Sequence, residues 1–119
     1  MKIKLCILLT AIALSGCATT FSEENPSAYA ESLAQAKVLL KSNKGVEKYE
    51  KYYNLSNHKA LAQSKVSSAG AYSSNRTSKK FAMESALEIC NQRLLKKYSE
   101  ITDRVSCEII NVDNEWVSH

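Results

Sequence analysis

The first twenty residues restrict where a domain can fold, because their composition differs from that of the rest of the chain. Lys2 and Lys4 form a short positive segment, and residues 5–14 are apolar except for Thr10. A charged start, an apolar run of about ten residues and a zone of small residues are typical of a secretory signal peptide, which is removed from the mature protein. A membrane-spanning helix needs about 20 apolar residues, so this run is too short to be one. We therefore exclude residues 1–16 from the folded domain.

The end of this leader carries a more specific motif. Leu14, Ser15 and Gly16 precede Cys17, and these four residues resemble the lipobox of bacterial lipoproteins. The resemblance implies cleavage before Cys17, a diacylglyceryl group on its thiol and a further acyl chain such as palmitate on its amine. A single chain binds a membrane only marginally, at about 0.8 kcal/mol per buried CH₂, whereas two or three chains give a stable anchor. The alternative is an ordinary cleaved signal, with Cys17 as another disulfide candidate.

The residue after the cysteine bears on localisation. In Gram-negative lipoproteins, Asp at this position tends to retain the protein at the inner membrane, and here the residue is Ala18. The resemblance thus implies an outer-membrane lipoprotein that faces the periplasm, with the outer leaflet of the inner membrane or the cell surface as alternatives. Residues 17–25 lack apolar periodicity and are expected to form a lipidated tether with a reach of at most about 30 Å. The expected partners are the membrane, through the lipid, and another envelope protein or a cell-wall glycan.

Charge and motifs argue against several functional classes. Two of the 16 basic residues lie in the leader, which leaves 14 basic and 12 acidic residues and a mature charge near +2, so no nucleic-acid partner is expected. With only Gly45 and Gly70 left, no phosphate-binding glycine loop is possible, and no cofactor is expected. Hydrolysis needs a nucleophile beside a base, but the serines lie outside any Gly-x-Ser-x-Gly turn. His58 is expected to face solvent or cap a strand, and His119 is terminal, so we predict that the protein is not an enzyme.

Two helices are predicted in residues 26–54. Asn25 suits a helix N-cap and Pro26 the first helical position, and Gly45 is expected to end the first helix in a left-handed conformation. A shorter helix should follow from Val46 to about Tyr53. The apolar face of the first helix is predicted to comprise Tyr29, Leu33, Ala36 and Leu40.

Three tyrosines of the second helix form the candidate interaction surface. Tyr49, Tyr52 and Tyr53 stand near Lys48 and Lys51, and tyrosine is enriched at protein interfaces because it offers a large amphipathic contact area. This surface could meet a protein or an anionic glycan. The alternative is that Tyr49 and Tyr53 pack in a core while Tyr52 is exposed.

Residues 58–119 are predicted to form a small α+β domain. A strand over 59–64, a helix capped by Ser78 or Thr77, a strand over 107–112 and a short strand over 115–117 make a β-α-β-β unit. Residues 64–78 are expected to form a loop or a loose hairpin, Asp113-Asn114 a two-residue turn, and the helix should end near Tyr98. The apolar face of this helix is predicted to contain Phe81, Met83, Ala86, Leu87, Cys90 and Leu94.

Two cysteines remain once Cys6 leaves with the leader and Cys17 is acylated. Cys90 and Cys107 would then lie in an oxidising compartment where disulfides persist, and a bridge closing this loop contributes about 3 kcal/mol. The alternative is two separate buried thiols. Neither cysteine belongs to a Cys-x-x-Cys pair, and the histidines lack usable ligand spacing, so no metal site is expected.

The second half of the chain also resembles a small exported, disulfide-bonded domain of unknown function. The resemblance rests on residues 59–62, on the helix that carries Cys90 and on the strand opened by Cys107, and it transfers no catalytic residue. The chain as a whole is thus predicted to be α+β, with a helical arm or hairpin before a disulfide-stapled unit. Its expected function is that of a membrane-anchored, non-enzymatic binding or structural module. The alternatives are an inhibitor or exclusion-type lipoprotein that uses a rigid loop over 66–78, and an envelope hydrolase with a cleft around His58.

Overall fold

The computed structural model describes residues 19–118 and confirms the mixed α+β class. The leader, Cys17 and His119 lie outside these residues. No helix within 19–118 is both long enough and apolar enough to cross a bilayer. The elements in chain order are α1 (Phe21–Glu24), α2 (Pro26–Leu39), α3 (Asn43–Tyr53), β1 (Ala60–Ser64), β2 (Gly70–Ser73), α4 (Lys79–Leu94), β3 (Cys107–Val112) and β4 (Glu115–Trp116).

The four strands pair in the order β2-β1-β3-β4 and are antiparallel throughout. Strand β2 lies within the segment expected to be a loop or a loose hairpin, and the hairpin is the form observed, since Ala71 pairs with Ala62 of β1. The unit is therefore β-β-α-β-β, and helix α4 ends at Leu94, before the predicted Tyr98. The predicted turn between β3 and β4 is confirmed, because Asp113 and Asn114 both adopt positive φ, at 48° and 70°. Such a pair suits the tight turn of a two-residue hairpin.

Helix α2 begins as predicted, but the boundary between α2 and α3 differs from the prediction. Asn25 accepts the N–H of Ala28 at 3.1 Å, and Pro26 occupies the first helical position. Gly45 does not end α2; it lies inside α3, and no glycine of the described residues has positive φ. Ser42 explains the difference, because its hydroxyl accepts the N–H of Gly45 at 3.0 Å and thereby starts α3 at Asn43.

Part of the predicted tether is folded. Thr20 and Glu23 form a capping box, with the Thr20 N–H donating to the Glu23 carboxylate at 3.2 Å, and helix α1 follows. The N–H of Ser22 donates to Asn54 Oδ1 at 2.9 Å, which fixes α1 against the end of α3. Apolar periodicity could not reveal this segment, since only Phe21 contributes to packing and capping does the rest.

Helix α4 covers one face of the sheet with small side chains. The buried residues of α4 recur at every fourth position, and three of these four residues have small side chains. Met83 lies at the margin of this core. Phe81 was predicted to lie on the buried face, but it is 45% exposed, so that prediction is wrong. Small residues are buried at the centre because they let the helix approach the strands closely, and larger side chains fit only at the margin. The buried positions of α4 are Ala82, Ala86, Cys90 and Leu94.

The opposite face of the sheet packs against α2 and α3. Between Leu61 and Ala62 of β1 the register to β3 shifts, because Leu61 pairs with Asn111 and Ala62 with Ile109. Ile110 is thus the extra residue of a β-bulge. Both Ile110 and Asn111 contact the aromatic side chains of α3, whereas Ile109 contacts the α4 side. The sheet is therefore the middle of three layers, with a core on each face.

Candidate functional site

The three tyrosines predicted to form an interaction surface are buried. Tyr49 and Tyr52 are 0% exposed and Tyr53 is 6% exposed, so none of their rings is available to a partner. This corrects the expectation of an interaction surface. The alternative is confirmed for Tyr49 and Tyr53, which pack in a core, and is wrong for Tyr52, which is also buried. We call the set Tyr29, Tyr49, Tyr52, Tyr53 and Trp116 the tyrosine cluster.

Ring contacts and hydrogen bonds hold the tyrosine cluster together. The ring of Tyr49 stacks on Trp116 with centroids 4.8 Å apart, and Tyr29 meets Tyr53 edge to face at the same distance. The Tyr49 hydroxyl shares a hydrogen bond of 2.5 Å with Ser32. Asn111 accepts from the Tyr52 hydroxyl at 3.1 Å and donates to the Tyr49 hydroxyl at 3.3 Å. The hydroxyls are thus satisfied internally, and burial raises the pKa of Tyr49 to about 12.

Next to the tyrosine cluster lies a fully buried ammonium, that of Lys59. Its Nζ donates to the carbonyl oxygens of Tyr52, Tyr53 and Leu55 at 3.0, 2.7 and 2.8 Å. It also lies 4.8 Å from the ring centroid of Phe21, within cation–π distance. Burial lowers the pKa of Lys59 to about 8, and the charge of Asp113 opposes that shift. With every donor used and no exposed surface, Lys59 closes the C-terminal end of α3 rather than serving a ligand.

The histidine weighed as a hydrolytic base has a carboxylate nearby but no cleft. His58 Nδ1 lies 3.7 Å from Asp113 Oδ2, and Lys79 Nζ lies 3.9 Å from the same oxygen. The other oxygen of Asp113 accepts the backbone N–H of Lys59 at 2.8 Å. None of the cavities described here is lined by His58. Asp113 therefore connects the β3–β4 turn to the start of β1, and we assign it a structural role.

The predicted disulfide is present. Cys90 of α4 and Cys107 at the start of β3 are bonded, with their Cα atoms 6.1 Å apart. Both residues are buried in the core beneath α4. Cys17, the predicted lipidation site, lies outside the described residues. No group of three or more His, Cys, Asp or Glu side chains in the described part of the chain could hold a metal ion.

A surface cavity of about 130 Å³ lies where the first turns of α3 meet β1 and β2. We call it the lysine cavity, because Lys44 and Lys48 line it from successive turns of α3. Its apolar wall is formed by Leu40, Leu61 and Tyr72. Two lysines four residues apart lie on the same side of a helix, so the fold directs both toward this cavity.

The positive charge at the lysine cavity is not neutralised. Burial lowers the pKa of Lys48, and the nearby charges of Arg93 and Lys44 lower it further. Arg93 donates to the carbonyl oxygen of Gly70, which also lines the cavity. Within residues 19–118, no carboxylate oxygen lies within 4.0 Å of either lysine nitrogen. The start of α3 adds the positive end of a helix dipole to the same place.

Both glycines of the described chain line the lysine cavity. A Cβ on Gly70 would lie 3.0 Å from the carbonyl oxygen of Ala62, and one on Gly45 would lie 3.3 Å from the Ser42 hydroxyl. Neither position tolerates a side chain without displacing its neighbours, so both contribute space and bare backbone. The cavity can therefore receive a small negative group and place an attached apolar group on its hydrophobic wall.

No known protein family, curated protein or solved structure matches this chain. The resemblances to a lipobox and to a small exported domain therefore remain predictions. Sequence reasoning missed the lysine cavity. Lys44 and Lys48 are spaced by four residues, but the prediction ended one helix at Gly45, between them, whereas the structure places both in α3.

Proposed function

We propose that this protein is a lipoprotein of the bacterial envelope, anchored through Cys17 in the outer membrane, whose folded part is a non-enzymatic binding module. The lysine cavity is its binding site, and its ligand is a carboxylate joined to a small apolar group. Such a group could belong to another envelope protein or to the peptide part of a cell-wall glycan. The observation that carries the proposal is that Lys44 and Lys48 line one cavity, close to the charge of Arg93, and that within residues 19–118 no carboxylate oxygen lies within 4.0 Å of either lysine nitrogen.

Size and charge support this choice of ligand. A cavity of about 130 Å³ is smaller than the roughly 300–1,000 Å³ of sites that enclose drug-sized molecules. It suits one functional group and its immediate substituent. Lysine ammonium groups attract carboxylates as point charges. The apolar wall, in which Leu61 is buried and Tyr72 is half-buried, favours an apolar substituent.

Titration with small carboxylates tests the binding site. Propionate and benzoate are added to ¹⁵N-labelled protein, with inorganic phosphate and a neutral amide as comparison ligands. We expect the carboxylates to shift the amide resonances of Gly45 and Gly70 saturably, because both residues line the cavity. The Lys44→Ala/Lys48→Ala variant should bind about tenfold more weakly, which corresponds to the loss of one charge-assisted hydrogen bond.

The matched control is Lys80→Ala/Lys96→Ala, which removes the same charge from exposed positions of α4 and the turn beyond it. This control should change the affinity by less than about twofold, because it alters only exposed side chains away from the cavity. Equal weakening in the two double variants would mean that only net charge attracts the ligand. Absence of saturable shifts at both glycines would remove the cavity as a binding site.

Intact mass of the membrane-extracted protein tests the anchor. The expected mass lacks residues 1–16 and includes acyl chains on Cys17. A soluble chain with a free Cys17 thiol would contradict the lipoprotein part of the proposal. The proposed binding site would not be affected, because the carboxylate titration tests it separately.

A further inference from the structure

The ordered domain begins much closer to Cys17 than an unstructured tether would place it. Thr20 is held by the capping box of α1, and Ser22 is hydrogen-bonded to Asn54 at the end of α3. Phe21 packs against the tyrosine cluster and covers the ammonium of Lys59. The chain is therefore attached to the domain from Thr20 onward, and only three residue steps separate Thr20 from Cys17.

We infer that, in the lipidated protein, the end of the domain formed by α1 and the C-terminal end of α3 lies against the lipid headgroups. The inference rests on the proposed lipidation of Cys17. Three residue steps span at most about 11 Å, and the headgroup layer of one leaflet takes up roughly 6 Å of that distance. A free tether of eight residues would reach about 30 Å and would let any face of the domain meet the membrane. The shorter reach leaves only the surface around Phe21 and Asn54 within contact distance of the bilayer.

This orientation determines where the binding site points. Helix α3 has 11 residues and is about 16 Å long. Asn54 and Ser56 lie just past its C-terminal end, whereas Lys44 lies in its first turn at the lysine cavity. The membrane-facing end and the cavity are thus at opposite ends of one helix, and the helix separates the cavity from the proposed membrane face. A ligand on the cell wall or on a neighbouring envelope protein would have access to it there.

Fluorescence quenching in vesicles tests the orientation. The lipidated full-length mature protein is reconstituted in vesicles of phosphatidylethanolamine and phosphatidylglycerol that include a lipid with a nitroxide headgroup. A fluorophore is attached through Ser56→Cys, near the proposed membrane face, or through Ser68→Cys at the rim of the lysine cavity. Both serines are exposed, and with Cys17 acylated and Cys90 bonded to Cys107 the introduced thiol is the one that reacts. We expect quenching to be several-fold stronger at position 56 than at position 68.

A release variant separates attachment of α1 from lipidation itself. Phe21→Ala removes the contact of α1 with Lys59 and the tyrosine cluster, and should lengthen the tether and bring the quenching at the two positions close to each other. Val38→Ala, at a position that is 82% exposed on α2, is the matched control and should keep the difference. Circular dichroism and disulfide mapping verify that each variant is folded.

Each outcome has a distinct meaning. An acylated protein with equal quenching at positions 56 and 68 would overturn this inference and leave the lipoprotein proposal intact. Stronger quenching at position 68 would place the cavity at the membrane and would also overturn it. A chain without acyl mass on Cys17 would overturn the anchor and the orientation together, while the titration of the lysine cavity would be unaffected.

Discussion

At the scale of single residues, the ammonium of Lys59 joins parts of the molecule that are distant along the chain. The ammonium donates to carbonyl groups at the end of α3, and the ring of Phe21 in α1 covers it. The backbone N–H of Lys59 donates to Asp113 in the β3–β4 turn. A cation at a helix C-terminus is favoured by the helix dipole, but a buried ammonium also loses its hydration. The lowered pKa of Lys59 shows that the loss of hydration dominates.

Titration of Lys59 predicts a stability maximum in mildly alkaline solution. The pKa of Lys59 falls from 10.5 to about 8 on folding. Between these two pH values the unfolded chain binds one proton more than the native protein. The free energy of unfolding therefore rises with pH over this range, by about 3 kcal/mol. The pKa of Tyr49 rises from 10.0 to about 12, so above pH ~10 the native state holds the extra proton and stability falls. Urea unfolding between about pH 7 and 11 should show a maximum near pH ~10.

The Lys59→Met variant serves as the control for this profile. It should lose the rise between about pH 8 and 10 and retain the fall at higher pH, because only the lysine term is removed. A wild-type stability that declines steadily from about pH 8 would contradict the assignment of the buried ammonium.

The shared hydroxyl of Tyr49 gives a second prediction at this scale. Tyr49→Phe removes the buried partner of the Ser32 hydroxyl and of the Asn111 amide nitrogen, so we expect a loss of about 1–3 kcal/mol in the free energy of unfolding, measured by urea titration. Tyr72→Phe is the matched control, because the Tyr72 hydroxyl makes no hydrogen bond within residues 19–118; its effect should stay within about 0.5 kcal/mol. Equal effects of the two substitutions would show that the Ser32–Tyr49–Asn111 network adds no stability.

At the scale of elements, the close approach of α4 to the sheet depends on alanine. Ala86 is 0% exposed and packs in the same core as Ala60 and Ala62. Ala86→Leu adds three carbon atoms to this contact and should cost about 1–3 kcal/mol through overpacking. Glu88→Leu introduces the same side chain on the exposed face of α4 and should change stability by less than about 0.5 kcal/mol. Thermal or urea unfolding distinguishes them, and a stabilised Ala86→Leu protein would show that space remains beneath α4.

The disulfide gives the second prediction for an element, since it ties α4 to β3. The bridge spans 17 residues, and closing a loop of this length stabilises the folded state by about 3 kcal/mol. The Cys90→Ala/Cys107→Ala variant should lose about this amount in urea unfolding. Non-reducing peptide mapping of the wild type should recover the peptides of Cys90 and Cys107 joined, and two thiols that react after denaturation would contradict the bridge.

At the scale of the whole molecule, one sheet belongs to two cores. Leu61 of β1 packs with the tyrosine cluster, while its neighbours Ala60 and Ala62 pack beneath α4. Residues 26–54 and 58–119, separated in the sequence-based division, therefore share a set of strands. Layers that share strands are expected to unfold together in a domain of this size.

We therefore predict that the two layers of helices and the sheet unfold in one cooperative transition. Trp116 is the single tryptophan and stacks on Tyr49, so its fluorescence reports on the layer formed by α2 and α3. Far-UV circular dichroism includes α4, the longest helix of the described residues. The two signals should follow the same urea transition with the same midpoint. A tryptophan transition at lower urea would show that the N-terminal helices unfold as a separate unit.

Particular residues show how far sequence patterns reached. Asn25, Pro26 and Ser78 fixed helix starts correctly, because capping depends on neighbours within four residues. Asp113 and Asn114 marked their turn for the same reason. Phe81 was misplaced, since a single helical period cannot tell whether a sheet will admit alanine or phenylalanine at its centre. The folded part of the tether and the burial of Tyr52 beside Tyr49 and Tyr53 were missed, because they depend on Asn54, Lys59 and the bulge at Ile110.

The sequence by itself determined the local features of this protein. These are the class of elements, most helix starts and the β3–β4 turn. The pairing of Cys90 with Cys107 was also predicted, from the expectation that Cys6 is removed and Cys17 is acylated. Tertiary structure alone decided which polar groups are buried and which cations remain unpaired. Burial of Lys59 and the approach of Arg93 to Lys48 depend on contacts between residues that are far apart in the chain. Local patterns act over a few residues, whereas desolvation and charge depend on every group that folding brings near.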